Sequence, residues 1–178
     1  MTGLSAARLK GVRLVLTDVD GVLTAGAIYH FVDTMGELVE FKGIHAHDSI
    51  ALAWLAESGL RTGVITGRVS KGVEARLKLL KVAHIVQGRL DKSAALDEIL
   101  ALEKMTPAQV AYIGDDLPDL AVMRRVALAA APADARPEVR ALAHWTTRAR
   151  GGAGAFRELA EKILRAQGLW DAVLARYR

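Results

Sequence analysis

Short apolar runs alternate along the chain with stretches of helical spacing. Residues 12–17 (VRLVLT) are apolar and β-branched and read as a buried strand. Residues 61–66 (RTGVIT), 83–86 and 110–113 (VAYI) repeat that signature. Between them, residues 50–58, 70–80 and 93–103 carry helical spacing, and in the last of these Leu96, Ile99, Leu100 and Glu103 share one side of a 3.6-residue period. Thr106-Pro107-Ala108-Gln109 has the form of a helix start, with a Thr cap, Pro in the first turn and Gln three residues on. Strands alternating with helices predict an α/β fold: a three-layer, Rossmann-like parallel sheet with right-handed crossovers and helices on both faces.

One segment interrupts the alternation. Residues 27–31 and 37–41 are two short β-like runs joined by Val-Asp-Thr-Met-Gly, which predicts a β-hairpin flap over about residues 25–42, directly after the first strand. An amphipathic helix is expected over 155–167, followed by a tail that carries Trp170 and Tyr177. The whole of 1–178 is expected to form a single domain.

Composition removes several classes. Hydrophobic residues make up 52% and charged residues 25%, which is globular usage and argues against disorder. The chain has no Cys, so disulfides, thiolate metal sites and cysteine nucleophiles are excluded. No apolar run approaches the roughly 20 residues that cross a bilayer. Residues 1–10 lack the apolar core of a secretory signal, so no membrane partner and a cytoplasmic location are expected. The net charge of +4 is scattered, with no five-residue basic block and few aromatics to stack on bases. A small anionic metabolite, not nucleic acid, is the expected partner.

In an open parallel sheet, ligands bind beyond the carboxyl ends of the strands. There the sequence places Asp18-Val19-Asp20-Gly21-Val22-Leu23-Thr24, then Thr66-Gly67-Arg68, then Asp91-Lys92, then Gly114-Asp115-Asp116-Leu117-Pro118-Asp119. Any one of these acids alone reads equally as a turn former or a helix cap. Together they would repel one another unless a cation sat among them, and a hard divalent ion with oxygen ligands, Mg²⁺ above all, would resolve that.

This ordered set resembles the four motifs of the haloacid dehalogenase superfamily of phosphohydrolases, over about residues 12–156. The resemblance implies that Asp18 is the nucleophile and Asp20 the general acid and base. It implies further that Thr66 and Lys92, with Gly67 and Arg68 beside them, hold the phosphoryl group. Asp18, Asp20 through its backbone carbonyl, and Asp115 would bind Mg²⁺, with Asp116 and Asp119 supporting from the outer shell.

Spacing limits the architecture. Asp18 and Thr66 stand 48 positions apart, Thr66 and Lys92 26, and Lys92 and Asp115 23. A strand–helix–strand unit needs about 30 residues, so the later gaps have no room for an inserted cap domain. Capless members with such a hairpin resemble the 3-deoxy-D-manno-octulosonate 8-phosphate phosphatases and the nonulosonate 9-phosphate phosphatases. The matching residues include Thr24-Ala25-Gly26, Gln87-Gly88 and Arg150-Gly151-Gly152-Ala153-Gly154-Ala155. The resemblance implies a place in lipopolysaccharide synthesis and a homotetramer in which hairpins and tails of neighbouring protomers enclose each site. Trp170 would then serve either that interface or this chain's own core or surface.

The chain departs from the octulosonate pattern after the hairpin. Where an R-D-G-x-G-like run is usual, it has Ile44-His45-Ala46-His47-Asp48-Ser49-Ile50. The two His could line a pocket, sit beside a helix cap made by Asp48 or Ser49, or hold a second metal. The run leaves open an aryl phosphate such as phenylphosphate, because the delta subunit of phenylphosphate carboxylase looks like the same subfamily. A non-catalytic subunit that kept the fold is the reading from another class, against which all the catalytic positions are present.

Overall fold

The computed structural model describes residues 4–178; the first three, part of the N-terminal stretch read above, lie outside the described residues. Six strands form one parallel sheet. In spatial order they are β5 (His84–Val86), β4 (Arg61–Ile65), β1 (Leu14–Thr17), β6 (Val110–Ile113), β7 (Leu128–Ala131) and β8 (Trp145–Thr146). β1 is central, with Thr17 in register with Val64 on one side and Ile113 on the other. Both of its faces are covered, so its four residues are all buried.

Alternation along the strands divides the core in two. Val15, Val64, Ala111, Ile113, Leu128 and Ala130 face α1 (Ala6–Gly11), α2 (Ala46–Glu57), α3 (Lys71–Leu79), α7 (Ala155–Ala166) and α8 (Trp170–Ala175). Leu14, Leu16, Ile65, Tyr112 and Ala129 face α4 (Lys92–Glu103), α5 (Leu120–Met123) and α6 (Pro137–Leu142). The three-layer arrangement is therefore as predicted, and no cap domain is inserted among the described residues. The flap is β2 (Tyr29–Val32) and β3 (Leu38–Phe41), antiparallel and hydrogen-bonded only to each other. Its turn is held by Asp33, whose Oδ1 accepts the N–H groups of Met35 and Glu37 at 2.8 and 2.9 Å.

Several expectations need correcting. The Thr106 segment makes only one 3-10 turn, Pro107–Gln109, because the chain must enter β6 at Val110. β7 reads Leu-Ala-Ala-Ala, without β-branched residues, and was not anticipated; its small side chains fit a strand buried on both faces. The short elements α1, α5, α6, β8 and α8 were likewise not anticipated. α2 starts at Ala46, four residues before the expected helix, so Asp48 and Ser49 lie inside its first turn and do not cap it. Trp170 packs edge-on against Trp54 at 5.5 Å and is 9% exposed, which makes it part of this chain's own core.

Candidate active site

The first loop after β1 is wound tightly on itself: the N–H groups of Val22, Leu23 and Thr24 all point to the carbonyl of Val19. Gly21 within it has φ +84°, and a Cβ there would stand 2.0 Å from Asp115 Oδ2. Glycine thus lets the first loop touch the loop after β6. The loop that precedes α7 closes over the same place. Gly152 N–H donates to Val22 O at 2.8 Å, and a Cβ on Gly151 would lie 1.8 Å from Gly21 O.

A cavity of about 310 Å³ opens at this end of the sheet, lined by Asp18, Asp20, Thr66, Gly67, Arg68, Lys92, Asp115 and Asp116, with Ile28, Leu90 and Pro118 as its apolar part. Every residue of the expected site except Asp119 lines it. Asp18 is buried; its Oδ1 accepts from Val19 N–H at 2.6 Å and its Oδ2 lies 2.8 Å from Lys92 Nζ. Burial, aided by the nearby Asp119 charge and opposed by Lys92, pushes its carboxyl up to about 6. Lys92 is buried between Asp18 and Asp119; burial alone would lower its ammonium, but the two carboxylates outweigh that and raise it.

Asp119 sits beneath the cavity, fully buried. Its Oδ1 accepts from Lys92 Nζ at 2.7 Å and Tyr112 OH at 2.6 Å; its Oδ2 accepts from the N–H groups of Asp115 and Asp116 at 2.9 and 3.1 Å. Four donors thus occupy it, which suits it to shaping the loop and holding Lys92. Asp116 is exposed, and its Oδ1 takes Leu117 N–H at 2.8 Å. Thr66 is buried at the cavity wall, and its hydroxyl oxygen accepts Arg68 N–H at 3.4 Å.

Asp115 carries the least satisfied carboxylate of the cavity. Its Oδ1 is buried without a hydrogen-bond partner, and burial with the charges of Asp119, Asp18 and Asp116 pushes its carboxyl up to about 8. Carboxylate oxygens of Asp18, Asp115 and Asp119 lie within 4.8 Å of one another. An unpaired oxygen in an acidic cluster fits a divalent ion with oxygen ligands.

Residues from the flap reach the site in a way not read from the sequence. Lys42, just beyond β3, has its side chain almost fully buried, with Nζ 2.9 Å from Asp20 Oδ2. Glu40 Oε1 is 3.2 Å from the same ammonium, without the alignment of a hydrogen bond. Arg68 Nε stands 3.7 Å from Asp20 Oδ2. The signal was period-two spacing, which puts residues 40 and 42 on one side of a strand. His45 and His47 stack edge-on at 5.1 Å outside the cavity, and Asp48 turns away to α7. Among the described residues no acidic or imidazole cluster forms there to hold a second metal.

Residues 79–158 match the model of the haloacid dehalogenase-like hydrolases. The chain belongs to that family and is a phosphoric monoester hydrolase. Its relatives there are narrower in kind. It is 43% identical over 160 residues to the 3-deoxy-D-manno-octulosonate 8-phosphate phosphatase of Yersinia pestis, covering 90% of this chain and 83% of that protein. The corresponding phosphatase of Escherichia coli K12 is 39% identical over 93% of this chain and 86% of its own length. The crystal structure of the Moraxella catarrhalis phosphatase of that name, in complex with a magnesium ion, a phosphate ion and KDO, superposes with a TM-score of 0.90 at 36% identity, covering 97% of each chain.

Proposed function

We propose that this chain hydrolyses 3-deoxy-D-manno-octulosonate 8-phosphate, with Mg²⁺ as cofactor, through an aspartyl-phosphate on Asp18. The observation that carries this is the buried Asp18 carboxylate at the cavity floor, with Lys92 2.8 Å from one oxygen and the partnerless Asp115 oxygen beside it. Asp18 and Asp115, with the Asp20 backbone carbonyl, would hold the ion, which supplies charge neutralisation at the phosphoryl oxygens.

An Asp18 oxygen attacks phosphorus while the ester P–O bond breaks, and Asp20 gives its proton to the departing alkoxide. Asp20 then takes a proton from the water that attacks the phospho-aspartate, releasing inorganic phosphate and restoring Asp18. Lys92 and the Thr66 hydroxyl hold the phosphoryl oxygens throughout, which is the positioning and charge stabilisation that phosphoryl transfer needs. Gly67 and Arg68 line the approach, and the guanidinium of Arg68, about half exposed beside Asp20 and Glu40, is the cation placed to meet the sugar-acid carboxylate.

Two measurements test the reading. Asp18→Asn is expected to cut turnover by about a thousandfold or more while the far-UV spectrum is unchanged; full activity in that variant would overturn the nucleophile. The ratio of kcat/KM for octulosonate 8-phosphate and phenyl phosphate tests the ester. The apolar part of the cavity, Ile28, Leu90 and Pro118, supports an aryl ester as the second reading, and a preference for phenyl phosphate would establish it.

The working form in this reading is a cytoplasmic homotetramer, and the flap supports contact between its protomers. Tyr29, Phe31 and Phe41 cluster on it, each about half exposed, an apolar surface suited to a neighbouring protomer. A monomeric mass by light scattering would contradict this.

A further inference from the structure

We infer that Lys42 is a positioning residue that aims the Asp20 carboxylate and makes its aim depend on a docked flap. The inference rests on the reading of Asp20 as the proton carrier and goes on to say what holds that carrier in place.

An ammonium withdrawn from water must be paired, and Lys42, its side chain 1% exposed, finds its partners in Asp20 Oδ2 and Glu40 Oε1. The pair is anchored beyond itself. Glu40 Oε2 lies 3.7 Å from His30 Nε2, its cross-strand neighbour, and 3.9 Å from Arg68 Nη1. A chain of alternating charge thus runs from Glu40 of β3 through Lys42 to Asp20 and on to Arg68 in the loop after β4, with His30 of β2 beside Glu40. Lys42 engages Oδ2 at 2.9 Å, whereas Oδ1 has only the distant Thr24 hydroxyl at 3.5 Å. Oδ1 is therefore the oxygen left to exchange a proton with the leaving group and then with water. Swinging the flap away would withdraw Lys42 and release the carboxylate to rotate.

A proton donor matters most when the leaving group is a poor one, so its aim shows in a comparison of esters. Phenyl and p-nitrophenyl phosphate are nearly alike in shape but differ greatly in leaving-group basicity. Lys42→Met is expected to lower kcat on phenyl phosphate by roughly tenfold and on p-nitrophenyl phosphate by less than about threefold. Lys42→Arg should recover part of the loss. Inhibition by inorganic phosphate, held by Thr66 and Lys92, should be unchanged, which also reports that each variant is folded.

Asp20→Asn separates the two possible failures. If it lacks the ester selectivity, the acid–base reading falls and this inference with it. If it shows the selectivity while Lys42→Met slows both esters equally, or loses phosphate inhibition, only the role of Lys42 is overturned.

Discussion

Asp48 Oδ1 accepts the backbone N–H of Arg157 at 2.7 Å, 109 residues further along the chain, and its Oδ2 accepts Gly154 N–H at 3.2 Å. A side chain in the first turn of α2 thereby caps the start of α7, whose first N–H groups have no partner within their own helix. Asp48→Ala leaves both donors buried and unpaired. The expected loss is about 1–3 kcal/mol, read as a lower urea midpoint with unchanged slope. Asp48→Asn, which keeps an acceptor of the same shape, should lose less.

Asp119→Ala strips acceptors from Lys92, from the Tyr112 hydroxyl and from two backbone N–H groups at once. Removing one partner of a buried ion pair costs about 3–5 kcal/mol. Thermal unfolding should show a marked fall in Tm, in contrast to Asp116→Ala, where the carboxylate is exposed and caps a single 3-10 turn.

The two raised carboxyls give the metal-free protein a defined response to pH. In the fold, Asp18 keeps its proton to about 6 and Asp115 to about 8, whereas the unfolded chain releases both near 3.8. Between those limits the folded state holds more protons, so stability falls as pH rises. Magnesium requires the deprotonated carboxylates, so its affinity should rise across pH 6 to 8. Melting curves at several pH values, with and without Mg²⁺, should converge at pH 5 and separate towards pH 8.

Gly151→Ala drives a methyl group to 1.8 Å from Gly21 O, and one of the two loops must move. Because the first loop carries Asp20, a displacement of about 1 Å is expected to lower kcat by up to a hundredfold. Steady-state kinetics beside a melting curve would check that activity falls further than stability.

Much of this architecture was legible in the residues. β1, β4 and β6 announced themselves through β-branched and apolar runs, and the acids, hydroxyl and amine that line the cavity follow directly from strand ends. What escaped notice was set by tertiary packing. Three of the four residues of β7 are alanines, so this strand, buried on both faces, carries no β-branched signal to announce it. Asp119 reads as a supporting acid of the cluster; that its carboxylate also accepts from Lys92, Tyr112 and two loop N–H groups becomes visible only in the fold. Asp48 reads locally as a cap for its own helix, and no short-range pattern could reveal that its partner lies in α7. Lys42 reads as an ordinary strand-end lysine until the flap is folded against Asp20.

The close approach of Gly151 and Gly152 to the first loop also bears on synthesis. During translation Asp18 and Asp20 leave the ribosome well before the backbone that clamps their loop, which follows about 130 residues later. A nascent polypeptide therefore carries these two acids in an unfinished cradle until Gly151 and Gly152 are made and can close over the first loop.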